Sequence, residues 1–286
     1  MPVIPGRGPD AVSPTAHYTG HVWTRNGLSH PALATVEGRL MFDALAPLMT
    51  ASRLLGGPTL EGALLARHRI IDQLLADAID AGRVSQVVEI ACGMSPRGWR
   101  FATRYGGRLT YVEADLPAMA ARKRRALARI GAPRDGHRVA ELDALRDDGQ
   151  GSLAALASTL DPEGGLAVVT EGLLTYFDED DVVGMWRRFA RVLERFESGL
   201  YLADLRVGAP DHAVTERAFR LVLSSFVGRL VHSHFDGEEE ATAALRDAGF
   251  AHARLHRGDR HRAAGDAARD PAAARIHVVE ATTARR

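Results

Sequence analysis

The most constraining feature of this sequence is a regular alternation between residues 86 and 204. Short apolar or β-branched runs at Gln86–Ile90, Leu109–Val112, His137–Leu142, Leu166–Thr170 and Leu200–Asp204 read as strands. Between them, Arg97–Tyr105, Pro117–Ile130, Gly151–Leu160 and Asp178 to about Arg195 carry helical spacing. The last places Val182, Trp186, Phe189 and Leu193 on one face. Strands apolar throughout need cover on both faces, and helices between them supply it. The pattern therefore predicts an α/β fold, a doubly wound and mostly parallel sheet.

The flanks extend this reading. A helix is expected from a Thr59 cap to Gly82, with Leu64, Ile71, Leu74 and Ala78 recurring at helical spacing. Residues 15–60 begin aromatic and polar without a clear period, then turn helical in GRLMFDALAPLM. After Asp204 the alternation is interrupted. Phe219, Val222, Leu223, Phe226 and Leu230 fall at helical spacing within 206–235, which reads as an insertion. A helix at 238–248 ends at Gly249, and strand candidates at 250–256 and 276–282 bring the sheet to seven. The polar stretch 257–275 between them is expected to be an exposed loop. One domain follows: an arm or lid (1–58), a core (59–205), a cap insertion with its helix (206–248) and C-terminal strands (249–286). The Pro/Gly-rich start, 1–14, is expected to be mobile.

Composition excludes several function classes. Basic and acidic residues number 36 each, so the formal net charge is zero and no nucleic-acid partner is expected. The single cysteine, Cys92, excludes an internal disulfide and a thiolate zinc site, and no metal is expected. It fits a reducing cytoplasm. No apolar run is long enough to cross a membrane and the N-terminus has no apolar signal region, so a cytoplasmic protein without a membrane partner is expected. Lysine occurs once, at Lys123. The run RKRR at 122–125 reads as a solvated helix face.

In open α/β sheets, ligands bind outside the carboxyl ends of the strands, beside the point where the strand order reverses. Here every strand end carries a carboxylate: Glu89, then Glu113 and Asp115, then Asp143 after the third strand, Glu171 and Asp204. Phosphate would want backbone N–H groups and positive charge. A carboxylate rim suits ribose hydroxyls, an adenine amine and a cationic centre, the chemistry of S-adenosylmethionine. The turn Ala91-Cys92-Gly93-Met94-Ser95-Pro96 lacks the first and third glycines of the dinucleotide fingerprint. Arg67 lies on the apolar stripe of its helix, three residues after Leu64 and four before Ile71. Such a charge needs an anionic partner. It serves either a structural ion pair or a bidentate clamp on the cofactor's carboxylate.

LLARHRIID, VVEIACGMSPRGWRF, YVEADLPAMAARKRRAL and TEGLLTYF resemble, in order and spacing, the leucine carboxyl methyltransferase-like family. With YTGHVWTRNGLSHP, the chain is most similar to its tetracenomycin-type polyketide O-methyltransferase branch. The resemblance covers roughly residues 15–250. It implies a class I S-adenosylmethionine methyltransferase fold, Rossmann-like and seven-stranded, that forms methyl esters or ethers. By motif it implies Arg67 on the cofactor carboxylate, Ala91 and Gly93 under the methionine part, and Glu89 closing the first strand. It further implies Asp115 on the ribose with Glu113 close by, Asp143 and Leu142 at the adenine, with Glu141 competing for Asp143, and Glu171 at the amino group. Where many members have glycine this chain has Ala91, which costs little only if its φ is negative.

The acceptor side is less defined. A carboxylate is ionised at pH 7 and needs no base, whereas a phenol gains from one. Candidate histidines are His17, His21, His30, His232 and His234. Tyr18, Trp23, Arg25, Asn26, His30 and Tyr176 are candidates for the substrate pocket; ordinary packing of an N-terminal arm is the competing reading. The acceptor is expected to be a small molecule, with a peptide or protein C-terminus as the alternative. Homodimerisation is left open.

Overall fold

The computed structural model describes residues 14–131, 135–208 and 234–285. The helix expected from Phe219 to Leu230, and His232, lie outside the described residues, as does most of the N-terminal stretch. Seven strands form one sheet: β1 (Gln86–Ile90), β2 (Thr110–Asp115), β3 (His137–Glu141), β4 (Leu166–Thr170), β5 (Gly199–Arg206), β6 (His252–Arg257) and β7 (Ile276–Thr282). Their order is β3-β2-β1-β4-β5-β7-β6. The first five are parallel, and β7 runs antiparallel between β5 and β6. The order reverses between β1 and β4, so the expected ligand crevice lies above the ends of those two strands.

The helices are α1 (Pro14–Arg25), α2 (Val36–Leu54), α3 (Leu60–Asp80), α4 (Arg97–Tyr105), α5 (Pro117–Ile130), α6 (Leu153–Ala157), α7 (Glu179–Leu193) and α8 (Glu238–Asp247). Thr59 caps α3 as its sequence suggests, its side chain accepting from Gly62 N–H. One side of the sheet packs on α3 and α4 through Ile70, Ile71, Leu75, Phe101 and Tyr111. The other packs on α7 through Val182, Trp186, Phe189 and Leu193, the face read from the sequence. Among the described residues, no helix is long and apolar enough to cross a membrane.

Two expectations fail. The segment read as lacking a period is α1, which buries Tyr18, Val22 and Trp23. Its apolar positions do recur at helical spacing, but aromatic rings, threonines and histidines carry them. The stretch read as an exposed loop, 257–275, contains two 3₁₀ segments, Arg262–Arg269 and Pro271–Arg275. These bury Ala264, Ala267, Ala272 and Ala273 beside α3. Alanine contributes so little area that a buried face built from it is invisible in a polar background.

Register creates an electrostatic problem next to the crevice. Glu89 on β1 lies directly opposite Glu113 on β2, and both are buried. Like charges facing each other across a strand pair are unfavourable. The fold must supply cations, and two buried ones are present, Arg97 and Lys123.

Candidate functional site

The crevice is floored by the turn that follows β1. Cys92 N–H donates to the Ala114 carbonyl at 3.2 Å, and Ser95 N–H to the Cys92 carbonyl at 2.8 Å. Asp115, at the end of β2, accepts from Gly93 N–H at 2.7 Å through one oxygen and from Leu116 N–H at 2.8 Å through the other. Each carboxylate oxygen keeps a further lone pair, so Asp115 retains capacity for hydroxyl donors. Burial raises its carboxyl above the usual value. Helix α1 lies over the same turn: a Cβ placed on Gly93 would stand 3.8 Å from Ala16 Cβ.

Ala91 has φ +54°, the one positive value outside glycine among the described residues. The condition under which alanine would be costless here is therefore not met. An L-residue in this region pays about 1–2 kcal/mol, against about 0.4–1 kcal/mol of unfolded-chain entropy that glycine would add. Ala91→Gly should thus stabilise the protein by roughly 0.5–1 kcal/mol. Urea unfolding tests this, and a loss of stability would show that the methyl group earns its place through packing.

The opposite wall is a network of charges. Arg97, fully enclosed, reaches Asp72 at 2.6 Å, Glu89 at 2.7 Å and Glu171 at 2.5 Å. Tyr111 donates its hydroxyl to Glu89 at 2.8 Å. His68 Nδ1 lies 2.8 Å from Glu171, and Trp23 of α1 covers the imidazole with ring centroids 4.8 Å apart. Arg67 donates to Glu171 at 3.1 Å and to Asp204 at 2.8 Å, and Arg100 to Asp72 at 2.5 Å. Asp204 also accepts from Gly172 N–H at 2.6 Å. Burial alone would raise the Glu171 carboxyl, but His68, Arg97 and Arg67 outweigh it and hold the group well below the usual range. Three guanidinium groups thus meet four carboxylates, Asp72, Glu89, Glu171 and Asp204. One negative charge is in excess before any histidine protonation.

The anticipated cofactor residues therefore fall into three groups. Arg67, Ala91, Gly93, Asp115 and Glu171 surround the crevice at the switch point. Asp143 is half-buried beyond β3 and accepts from Leu145 N–H at 3.0 Å, with Leu142 buried beside it and Glu141 exposed. Glu89 and Glu113 are enclosed instead. Glu89 is taken up by Arg97 and Tyr111, and Glu113 by Lys123 at 2.9 Å and His137 at 3.2 Å. Lys123 overturns the reading of RKRR as a wholly solvated face.

The substrate candidates are brought together only in part: Tyr18 and Arg25 share the Phe42 ring and Arg25 and Asn26 share Glu61, whereas Trp23, His30 and Tyr176 lie against other residues. Tyr18 is buried and stacks on Phe42. Trp23 packs on His68. Asn26 donates to Glu61 at 2.9 Å, and Arg25, largely exposed, lies 3.9 Å from the same carboxylate and over the Phe42 ring. Tyr18 and Arg25, two turns apart, share one face of α1, whereas Trp23 turns to His68. His30 accepts from Ala32 N–H and sets its ring edge-on to Trp99. Tyr176 is half-buried after β4, near Arg67. His17 bonds Thr35, and His21 packs on Phe42. His234 contacts the Phe177 carbonyl at 2.8 Å. His68, Asp72, Arg97 and Lys123 were not anticipated.

Comparison with known proteins bears on the fold and the family. A Thermobifida fusca structure named as a methyltransferase superposes with a TM-score of 0.64 over 99% of this chain and 100% of its own, at 14% identity. The sheet and its helices are thus the class I S-adenosylmethionine methyltransferase fold. A Mycolicibacterium paratuberculosis protein named as an S-adenosyl-L-methionine-dependent methyltransferase is 38% identical over 115 residues, 40% of this chain and 35% of that protein. A Streptomyces avermitilis protein named likewise is 34% identical over 128 residues, 43% and 42% of the two chains. These matches span well under half of the relatives' own lengths. The profile described as leucine carboxyl methyltransferase covers residues 31–190, more than half of the chain, with the turn, the Asp115 strand and the direct partners of Arg97. By that match the chain belongs to the leucine carboxyl methyltransferase family.

Proposed function

We propose that this chain is an S-adenosylmethionine-dependent O-methyltransferase acting on a carboxylate or phenol of a small molecule, such as a polyketide. The observation that carries the reading is the pairing of Arg67 with Glu171 and Asp204 at the switch point. A guanidinium fork beside one carboxylate in excess supports binding of an amino acid that bears a sulfonium there. The donor set fits that ligand. Arg67 would hold its carboxylate, Glu171 its amino group, Asp115 its ribose hydroxyls, and Asp143 with Leu142 its adenine edge, over the floor made by Ala91 and Gly93. The bound cofactor supplies an electrophilic methyl group on sulfur.

The chain's own part is to align the acceptor and exclude water. Trp23 and α1, lying over His68 and the Gly93 turn, support that role. A carboxylate acceptor needs only this alignment. The alternative acceptor, a peptide or protein C-terminus, would call for a cation at the pocket mouth such as Arg25, but that guanidinium turns to Glu61 and Phe42. A cytoplasmic location belongs to the same reading, in keeping with the free Cys92 thiol. A gain of 14 mass units on a small acid but not on a peptide would support the reading; the reverse would move it to the alternative.

Calorimetry with S-adenosylhomocysteine is the direct test, and no binding at high micromolar ligand overturns the cofactor reading. Asp115→Ala should weaken that binding more than tenfold, the loss of about two hydrogen bonds to a charged acceptor. An unchanged affinity would place the ribose elsewhere.

A further inference from the structure

Lys123 is the single lysine among 36 formally basic residues, and it is fully buried. Its ammonium donates to the Ser95 carbonyl at 2.5 Å and to the Gly93 carbonyl at 3.4 Å, and it forms an ion pair with Glu113 at 2.9 Å. An ammonium is a compact tetrahedral head with three donors. A guanidinium is planar and larger, with its donors fixed in a fork. In a chain that uses arginine for every other basic side chain, lysine stands where a fork would not fit.

Both carbonyls belong to the turn that floors the crevice. Asp115 holds the N–H of Gly93 while Lys123 holds its carbonyl, so one residue is pinned through both of its backbone polar groups. Burial would favour a neutral amine, but Glu113 outweighs it and keeps the ammonium charged. Glu113 lies two residues before Asp115 on β2, so their side chains share a face of the sheet. Gly98 makes room for the pair, since a Cβ there would stand 2.4 Å from Glu113 Oε1. The ion pair thus forms one built unit with the turn.

We propose that Lys123 is a positioning residue for cofactor binding, its ammonium fixing the Gly93 and Ser95 carbonyls and so the shape of the turn beneath S-adenosylmethionine. The proposal rests on the cofactor reading above. Lys123 does not touch the ligand; it acts through backbone.

Two measurements test it. In Lys123→Met/Glu113→Gln both buried charges are removed together, which avoids an orphaned carboxylate. This variant should unfold cooperatively yet bind S-adenosylhomocysteine at least tenfold more weakly than the wild type. Affinity within twofold of wild type in a folded variant overturns the proposal. Should the variant not fold, the wild type still decides. Labelled with ¹³C-lysine, it has one lysine side chain to observe by NMR. Saturating S-adenosylhomocysteine should move its ε-methylene signal, and an unmoved signal overturns the proposal. Wild-type protein that binds no S-adenosylhomocysteine removes the cofactor reading and this proposal with it. Wild-type binding with an unmoved signal removes this proposal alone.

Discussion

Arg97→Met should cost about 3–5 kcal/mol of folding stability, as expected when one partner is deleted from a buried ion cluster. Arg97 has no exposed surface and serves Asp72, Glu89 and Glu171 at once. Its removal strands Glu89 opposite Glu113 with only the Tyr111 hydroxyl beside it. For a domain whose total stability is about 5–15 kcal/mol, that loss is a large fraction. Urea unfolding followed by circular dichroism reads it. The control is Arg97→Met/Glu89→Gln, which should be more stable than the single variant because it removes a stranded charge. Lysine should rescue little, since three carboxylates arranged around a planar fork do not suit an ammonium. A cost below about 1 kcal/mol for Arg97→Met would mean that the cluster stabilises the fold far less than its burial implies.

Arg67→Ala should have the opposite profile. Arg67 is partly exposed at the crevice, with 15% of its side-chain surface accessible. Without it, Glu171 keeps His68 and Arg97, and Asp204 keeps Gly172 N–H. Stability should therefore fall by about 1–3 kcal/mol, less than for Arg97, since buried Asp204 loses a guanidinium but keeps a backbone donor. Binding of S-adenosylhomocysteine should fall on the order of 100-fold, the loss of a charge-assisted, two-pronged contact worth about 2–3 kcal/mol. Calorimetry alongside thermal melting separates the two effects. Unchanged affinity with a large drop in stability would make Arg67 a core ion pair and nothing more. Those two outcomes together would divide the network, both arginines being on Glu171, into a part that holds the fold and a part that meets the cofactor.

Much of this was legible in the residues. β1, α4, α5 and β4 begin and end where their patterns do, because apolar runs and turn residues such as Pro117 and Gly131 coincide with the physical ends. The site was half legible. Arg67 could be singled out because a charge interrupted an apolar stripe. The same reasoning applied to α5 finds Lys123, which sits with Met119, Ala120, Ala126 and Leu127 on the buried face. The basic run around it masked that position, since its neighbours Arg124 and Arg125 are exposed. Arg97 was harder. It stands at the first position of α4 with too little sequence before it to establish a period. Its partners come from α3, β1 and the end of β4, which only the sheet order brings together. Trp23 and Arg25 show the converse limit, because chain neighbours read as a cluster were parted by a helix.

The cap of α3 has a consequence for how the protein is made. Asp270 accepts from both the backbone N–H and the hydroxyl of Thr59, across 211 residues of chain. Those bonds seat the start of the helix that carries Arg67, His68 and Asp72. On a ribosome, residues 59–80 emerge long before 270, so the cap residue of the helix waits through most of translation for the carboxylate that fixes it. Contacts this distant in sequence carry their loop-closure entropy before they return any stability. The start of α3 should accordingly be among the last features to become rigid, and on the proposed role of Arg67 S-adenosylhomocysteine should engage the chain only once its C-terminal strands have docked.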